Sequence, residues 1–109
     1  MADQTVVKVI HLHGQVRTGE SVDRLRSEVE ASLKEGNTRI VLNMAEVRSL
    51  DSSAIGVMVR SLMLAKQQGG LVKLSAVPNG ALQTLTTTGV SRLFEVFEDE
   101  TKAVESFGG

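Results

Sequence analysis

"RIVLNMAEVRSLDSSAIGVMV", residues 39 to 59, decides how this chain is read. Arg39 to Met44 form a short apolar run with β-branched content, which predicts a buried strand. A polar link follows. Asp51, Ser52 and Ser53 then stand directly before an apolar helical pattern that runs from Ser52 to Gln68 and stops at Gly69 and Gly70. A strand that passes through a link into a helix start is half of a β-α-β unit. The two serines therefore fall at the carboxyl end of a strand, the side of an open α/β sheet on which ligands bind.

Outward from this stretch the same alternation recurs. Thr5 to His13 is a β-branched run that reads as a strand ended by Gly14. Thr18 to Ser21 offer helix-start side chains, and Val22, Leu25, Val29 and Leu33 then repeat at helical spacing until Glu35 to Asn37 close the helix. Downstream, Leu71 to Val77 is strand. Pro78, Asn79 and Gly80 mark a turn into a short helix from Ala81 to about Thr88, which Gly89 ends. Leu93 to Phe97 alternate like a strand, and Glu100 to Phe107 form a last amphipathic helix. The order is β-α-β-α-β-α-β-α, an α/β architecture in one domain covering residues 1–109, with parallel strand pairs joined by helical crossovers.

Composition bounds the function. The chain has 109 residues with 41% hydrophobic and 23% charged, an ordinary globular balance with room for one core. A net charge of -1, no Trp or Tyr and only three Phe provide neither a basic footprint nor a stacking platform, so nucleic acid is not an expected partner. No run approaches a membrane span, and "MADQTVVKV" lacks the basic and apolar regions of a signal peptide. A cytoplasmic protein without direct membrane insertion is the expectation. Absence of cysteine fits that compartment and removes disulfides, thiolate nucleophiles and cysteine metal sites.

Two readings of the paired serines stand at this point. In one, Asp51 or Ser52 caps the helix by accepting from an unpaired N–H. In the other, a hydroxyl is presented for chemistry. Along the helix, Ile55, Met58, Val59, Leu62 and Met63 follow the 3.6-residue period and are assigned to the core. Val57, Arg60 and Leu64 form a second, thinner stripe, which is either buried on two sides or offered to a partner.

The stretch from Arg39 to Val59, with "VIHLHGQV" (9–16) before it and "LTTTGVSRLFEVFEDETKAVESF" (85–107) after it, resembles the STAS domain of bacterial anti-sigma factor antagonists over about residues 7–107. The resemblance implies a mixed β-sheet of four to five strands packed with four helices, and a switch rather than an enzyme. It also implies partners: an anti-sigma factor that is an ATP-dependent serine kinase, and a phosphatase that resets the phosphorylated form. Ser52 matches the phosphorylated position, and Asp51 and Ser53 match its flanks. Unphosphorylated, such an antagonist binds the kinase and frees a sigma factor, thereby regulating transcription. Arg17, Ala54, Val57, Arg60 and Leu64 are the expected partner surface. This chain departs from the family pattern at Ala54, where glycine is usual, and at Gln15 and Arg17, where two acidic residues are usual. An arginine there could pair with a phosphoryl group.

Other chemistry is thinly supported. His11 and His13 share a strand face, yet no cysteine or third histidine completes a metal shell, so neither metal nor cofactor is expected. A triad would need one of those histidines to approach Ser52 or Ser53 from another strand, and no phosphate-binding glycine motif occurs. Beside the switch stands a docking role, as a STAS subunit of a stress-sensing complex or lipid transporter with a silent serine.

Overall fold

The computed structural model describes residues 6–108. Its elements are β1 (Val7–Val16), α1 (Glu20–Lys34), β2 (Arg39–Leu50), α2 (Ser52–Gln67), β3 (Leu71–Ser75), α3 (Asn79–Thr87), a 3-10 turn (Val90–Leu93), β4 (Val96–Phe97) and α4 (Glu100–Phe107). The alternation and the α/β class agree with the sequence. Thr5, the first residue of the expected first strand, lies outside the described residues.

The four strands stand in the order β1-β2-β3-β4, and all pairs are parallel. The sheet is thus not mixed among the described residues, because each neighbouring pair is joined by a crossover and never by a hairpin. A right-handed crossover between successive strands in a monotonic order always falls on the same side of the sheet. Accordingly α1, α2 and α3 share one face. There Ile40, Leu42, Met44 and Leu74, each fully buried, meet Leu25, Met58 and Leu85. Side chains of this size contribute about 1.5–3 kcal/mol each on full burial. Among the described residues no reversal of strand order occurs, and so no switch-point crevice of the dinucleotide-binding kind forms.

Helix α4 lies on the opposite face, where polar contacts surround the fully buried Val41 and Ala103. Lys73, from β3, reaches Ser106 Oγ at 2.8 Å and Glu95 at 3.3 Å, with its ammonium 4.2 Å from the Phe107 ring centre. Glu100 accepts from Asn43 Nδ2 at 2.9 Å and also lies 2.9 Å from His11 Nε2. His13 pairs instead with Glu46 at 3.0 Å. Each histidine is thereby engaged by a carboxylate, and no group of three or more metal-ligating side chains occurs among the described residues.

β3 ends at Ser75 rather than Val77, because Ala76 takes φ 53, and α3 starts at Asn79 inside the expected turn. Three further boundaries differ from expectation for physical reasons. Gly14 does not end β1. It adopts φ 64 between two register shifts against β2, and the strand continues to Val16. β2 runs past Met44 to Leu50 because its second half pairs with β1 alone and stays largely exposed, so it lacks the apolar run of a strand flanked on both sides. Of Leu93 to Phe97 only Val96 and Phe97 are strand, because Leu93 ends the 3-10 turn and Phe94, its C-cap, enters the core.

At the α2–β3 junction, Gly70 donates to Ala65 O at 2.8 Å while Leu71 donates to Thr38 O at 3.0 Å, which brings two backbones together. A Cβ at Gly70 would overlap the Thr38 backbone. Gly70→Ala should destabilise the fold by on the order of 2–3 kcal/mol, read as a lower urea midpoint, whereas Gly56→Ala, at an exposed helical position with open space, should not.

Candidate functional site

β2 ends beside the exit of β1, and one residue joins them to the next helix. Asp51 has an extended backbone, φ -99 and ψ 178, and is the N-cap of α2. Its Oδ1 accepts from the Ala54 amide at 2.8 Å. Oδ2 accepts from the Thr18 amide at 2.8 Å and from Thr18 Oγ1 at 3.3 Å. The Asp51 amide in turn donates to Val16 O at 3.2 Å, and its carbonyl accepts from Ile55 at 3.1 Å. The loop after β1 and the first turn of α2 are therefore held by one side chain. The Thr18 amide, then the Ala54 amide, hold the Asp51 carboxyl below its ordinary value of 3.8, with desolvation opposing them.

The two serines have separate fates. Ser53 is half-buried, and its Oγ lies 2.6 Å from Thr18 Oγ1. Ser52, at the first helical position, is exposed, and its hydroxyl forms no hydrogen bond among the described residues. Capping thus belongs to Asp51, which leaves Ser52 unemployed by the fold. Arg17 is exposed next to Thr18, so the position that carries a positive charge in place of an acid lies on the loop that Asp51 fastens to the serine helix. Thr18 is the site residue that sequence reasoning missed. It was expected to start α1, but Gly19 occupies that N-cap with no side-chain hydrogen bond. No local pattern signals a contact between residues 33 positions apart.

A model of the STAS domain matches residues 2–103, nearly the whole chain. The chain belongs to the STAS domain family. A Thermotoga neapolitana protein, named as a homologue of TM1081 and assigned to the anti-sigma factor antagonists, is 27% identical over 77 residues, 71% of this STAS domain and 68% of that protein. The crystal structure of TM1081 from Thermotoga maritima superimposes with a TM-score of 0.84 at 23% identity, covering 92% of this chain and 86% of that one. A sulfate transporter family protein from Wolinella succinogenes gives 0.80 at 20% identity over 92% and 83%. Unphosphorylated SpoIIAA, an anti-sigma factor antagonist, gives 0.74 at 19% over 100% and 96%. At these identities the structures establish a shared fold.

The outer face of α2 in this STAS domain differs from the stripe expected. Ala54 is fully buried and Val57 is 7% exposed, so neither can belong to a partner surface. Both belong to the core because α2 is covered on two sides, by the sheet beneath and by α1 beside it. Arg60 is exposed and Leu64 half-buried. Met63, assigned by its period to the core, is instead 57% exposed. The exposed stripe is Ser52, Gly56, Arg60 and Met63, and Leu93, 52% exposed, lies in the 3-10 turn that packs against α2. Neither His11 nor His13 forms a hydrogen bond with Ser52 or Ser53, so the described residues do not assemble a triad.

Because the folded state depresses the Asp51 pKa, the ionised carboxylate stabilises the fold above 3.8, and that contribution is lost as pH falls through the folded value. Asp51→Asn should lower the melting midpoint at neutral pH by on the order of 5 °C and flatten the acid limb of a stability–pH profile followed by urea denaturation. Parallel profiles for the two proteins would contradict the clamp.

Proposed function

We propose that this STAS domain is an anti-sigma factor antagonist whose Ser52 is the phosphorylated residue of a partner switch. One observation carries the reading: of two adjacent hydroxyls at the start of α2, Ser53 is committed to Thr18 while Ser52 is exposed and unengaged. The named antagonists to which the chain is similar support the assignment. In this reading the unphosphorylated domain binds an anti-sigma factor with serine kinase activity in the cytoplasm and so frees a sigma factor, while a serine phosphatase returns the modified form to service.

The physical consequence of phosphorylation follows from where the charge arrives. A phosphoserine adds about -1.5 to -2 charges and three acceptor oxygens. The α2 dipole favours it by ~0.3–1 kcal/mol, and the neighbouring Asp51 carboxylate opposes it. These effects offset each other, and the hydroxyl has no bond in the fold to lose. At an interface over Ser52, Arg60 and Met63 the same charge would be left desolvated at a cost of about 2–5 kcal/mol, a weakening of roughly 30-fold to several thousand-fold. Binding changes, and the architecture stays. Arg17, exposed on the loop that Asp51 fastens to α2, would pair with a phosphoryl group, and Arg60, on the exposed stripe of α2, would meet an acidic partner.

A second reading has the domain as a docking module with a silent serine, and the likeness to the transporter family protein favours it. The two differ in a direct assay. Incubation with ATP and the serine kinases of the source genome, followed by mass spectrometry, should give stoichiometric modification that Ser52→Ala abolishes and Ser53→Ala retains. Ser52→Asp should keep the wild-type circular dichroism spectrum while losing about 30-fold or more in kinase affinity. No modification by any such kinase, with undiminished binding by Ser52→Asp, would establish docking instead. Met63→Ser should weaken the same binding without lowering the melting midpoint.

A further inference from the structure

The two edges of the sheet are unlike. β4 is two residues long, whereas β1 is ten residues long and pairs with β2 on one side and with no described residue on the other. A long open edge is a template for another strand, and proteins that keep such an edge single usually break it with charges, proline or bulges. β1 has one lysine, Lys8, and no proline. Its register shifts are confined to the part beyond His11, so Val7 to His11 form a regular pairing stretch. Beside the edge runs a groove of about 480 Å³, lined on the strand by residues from Val9 to Val16 and on α1 by residues from Glu20 to Glu28.

We infer that this edge pairs with a second copy of the chain, antiparallel across a two-fold axis. The charges of the groove wall select that occupant. Because α1 links β1 to a parallel neighbour, it runs back along the strand, with Glu20 at the Val16 end of the groove and Glu28 at the Val9 end. Arg24 and Glu28 are one helical turn apart and opposite in sign. A two-fold axis passing between them sets Arg24 of each copy against Glu28 of the other. The surface is therefore complementary to itself, as an isologous dimer requires. Arg24 is otherwise paired only loosely, 3.9 Å from Glu20. The pairing edge excludes Ser52, Arg60 and Met63, none of which lines the groove. A dimer would present two copies of the candidate site at once, whether or not Ser52 is phosphorylated.

Sedimentation of the full chain from micromolar to millimolar concentration should show its mass doubling. Arg24→Glu and Glu28→Arg each create like-charge pairs across the axis and should raise the dimer dissociation constant by about tenfold or more, with unchanged circular dichroism because both positions are on the helix surface. An equimolar mixture of these two variants should regain the dimer, since each supplies the charge the other lacks. A wild-type chain that stays monomeric throughout, including one that captures an unrelated extended peptide at β1, overturns the inference. So does a dimer indifferent to both substitutions.

Discussion

The Asp51 carboxylate accepts backbone hydrogen bonds from Thr18 and Ala54, and that pair of contacts joins the loop after β1 to the first turn of α2. The rest of the site depends on it. Helix starts leave amide groups unpaired, and an aspartate at the cap satisfies one of them locally. Here its second oxygen is spent on a loop far away in sequence, so a capping interaction also becomes a tertiary one. Thr18, held by its amide, turns its hydroxyl to Ser53. What remains outside this network is Ser52, the one hydroxyl of the cluster that the fold does not use.

Topology explains why the proposed modification of such a residue would need no change of shape. Monotonic strand order with right-handed crossovers places α1, α2 and α3 on one face, where α2 is anchored by fully buried Ala54, Met58 and Ala65. A helix gripped by the sheet below and by α1 alongside has few ways to respond to a charge added at its exposed tip. The effect must then appear in whatever contacts that tip. Polar packing of α4 on the opposite face, through Lys73, Asn43 and Glu100, lies across the sheet from this helix.

Much of this was legible in the sequence, and the exceptions are instructive. Alternating strands and helices could be read because burial in a parallel sheet imposes an apolar run on each strand and a 3.6-residue period on each helix. Asp51, Ser52 and Ser53 stood out because polar residues directly before an apolar helix have few reasons to be there. Periodicity alone could not say which side of α2 faced outward: Val57 is covered by a neighbouring helix, and Met63 points to solvent at an apparently apolar position. The extension of β2 to Leu50 was hidden because a strand paired on one side needs no continuous apolar run. Thr18 was invisible for a different reason, since its role is set by the distant Asp51. The mixed sheet implied by the family resemblance gave way to a parallel one among the described residues, a property of pairing that no single strand encodes.

In the proposed switch a dianion on Ser52 alters contacts and leaves the clamp in place. Residue-resolved amide hydrogen exchange on the unmodified and Ser52-phosphorylated domain tests that claim most directly. Equal protection of the Thr18, Ala54 and Ile55 amides in both forms is the predicted result. Loss of protection at Thr18 and Ala54 on phosphorylation would mean that the added charge opens the joint between the β1 loop and α2, and that the switch works by rearrangement.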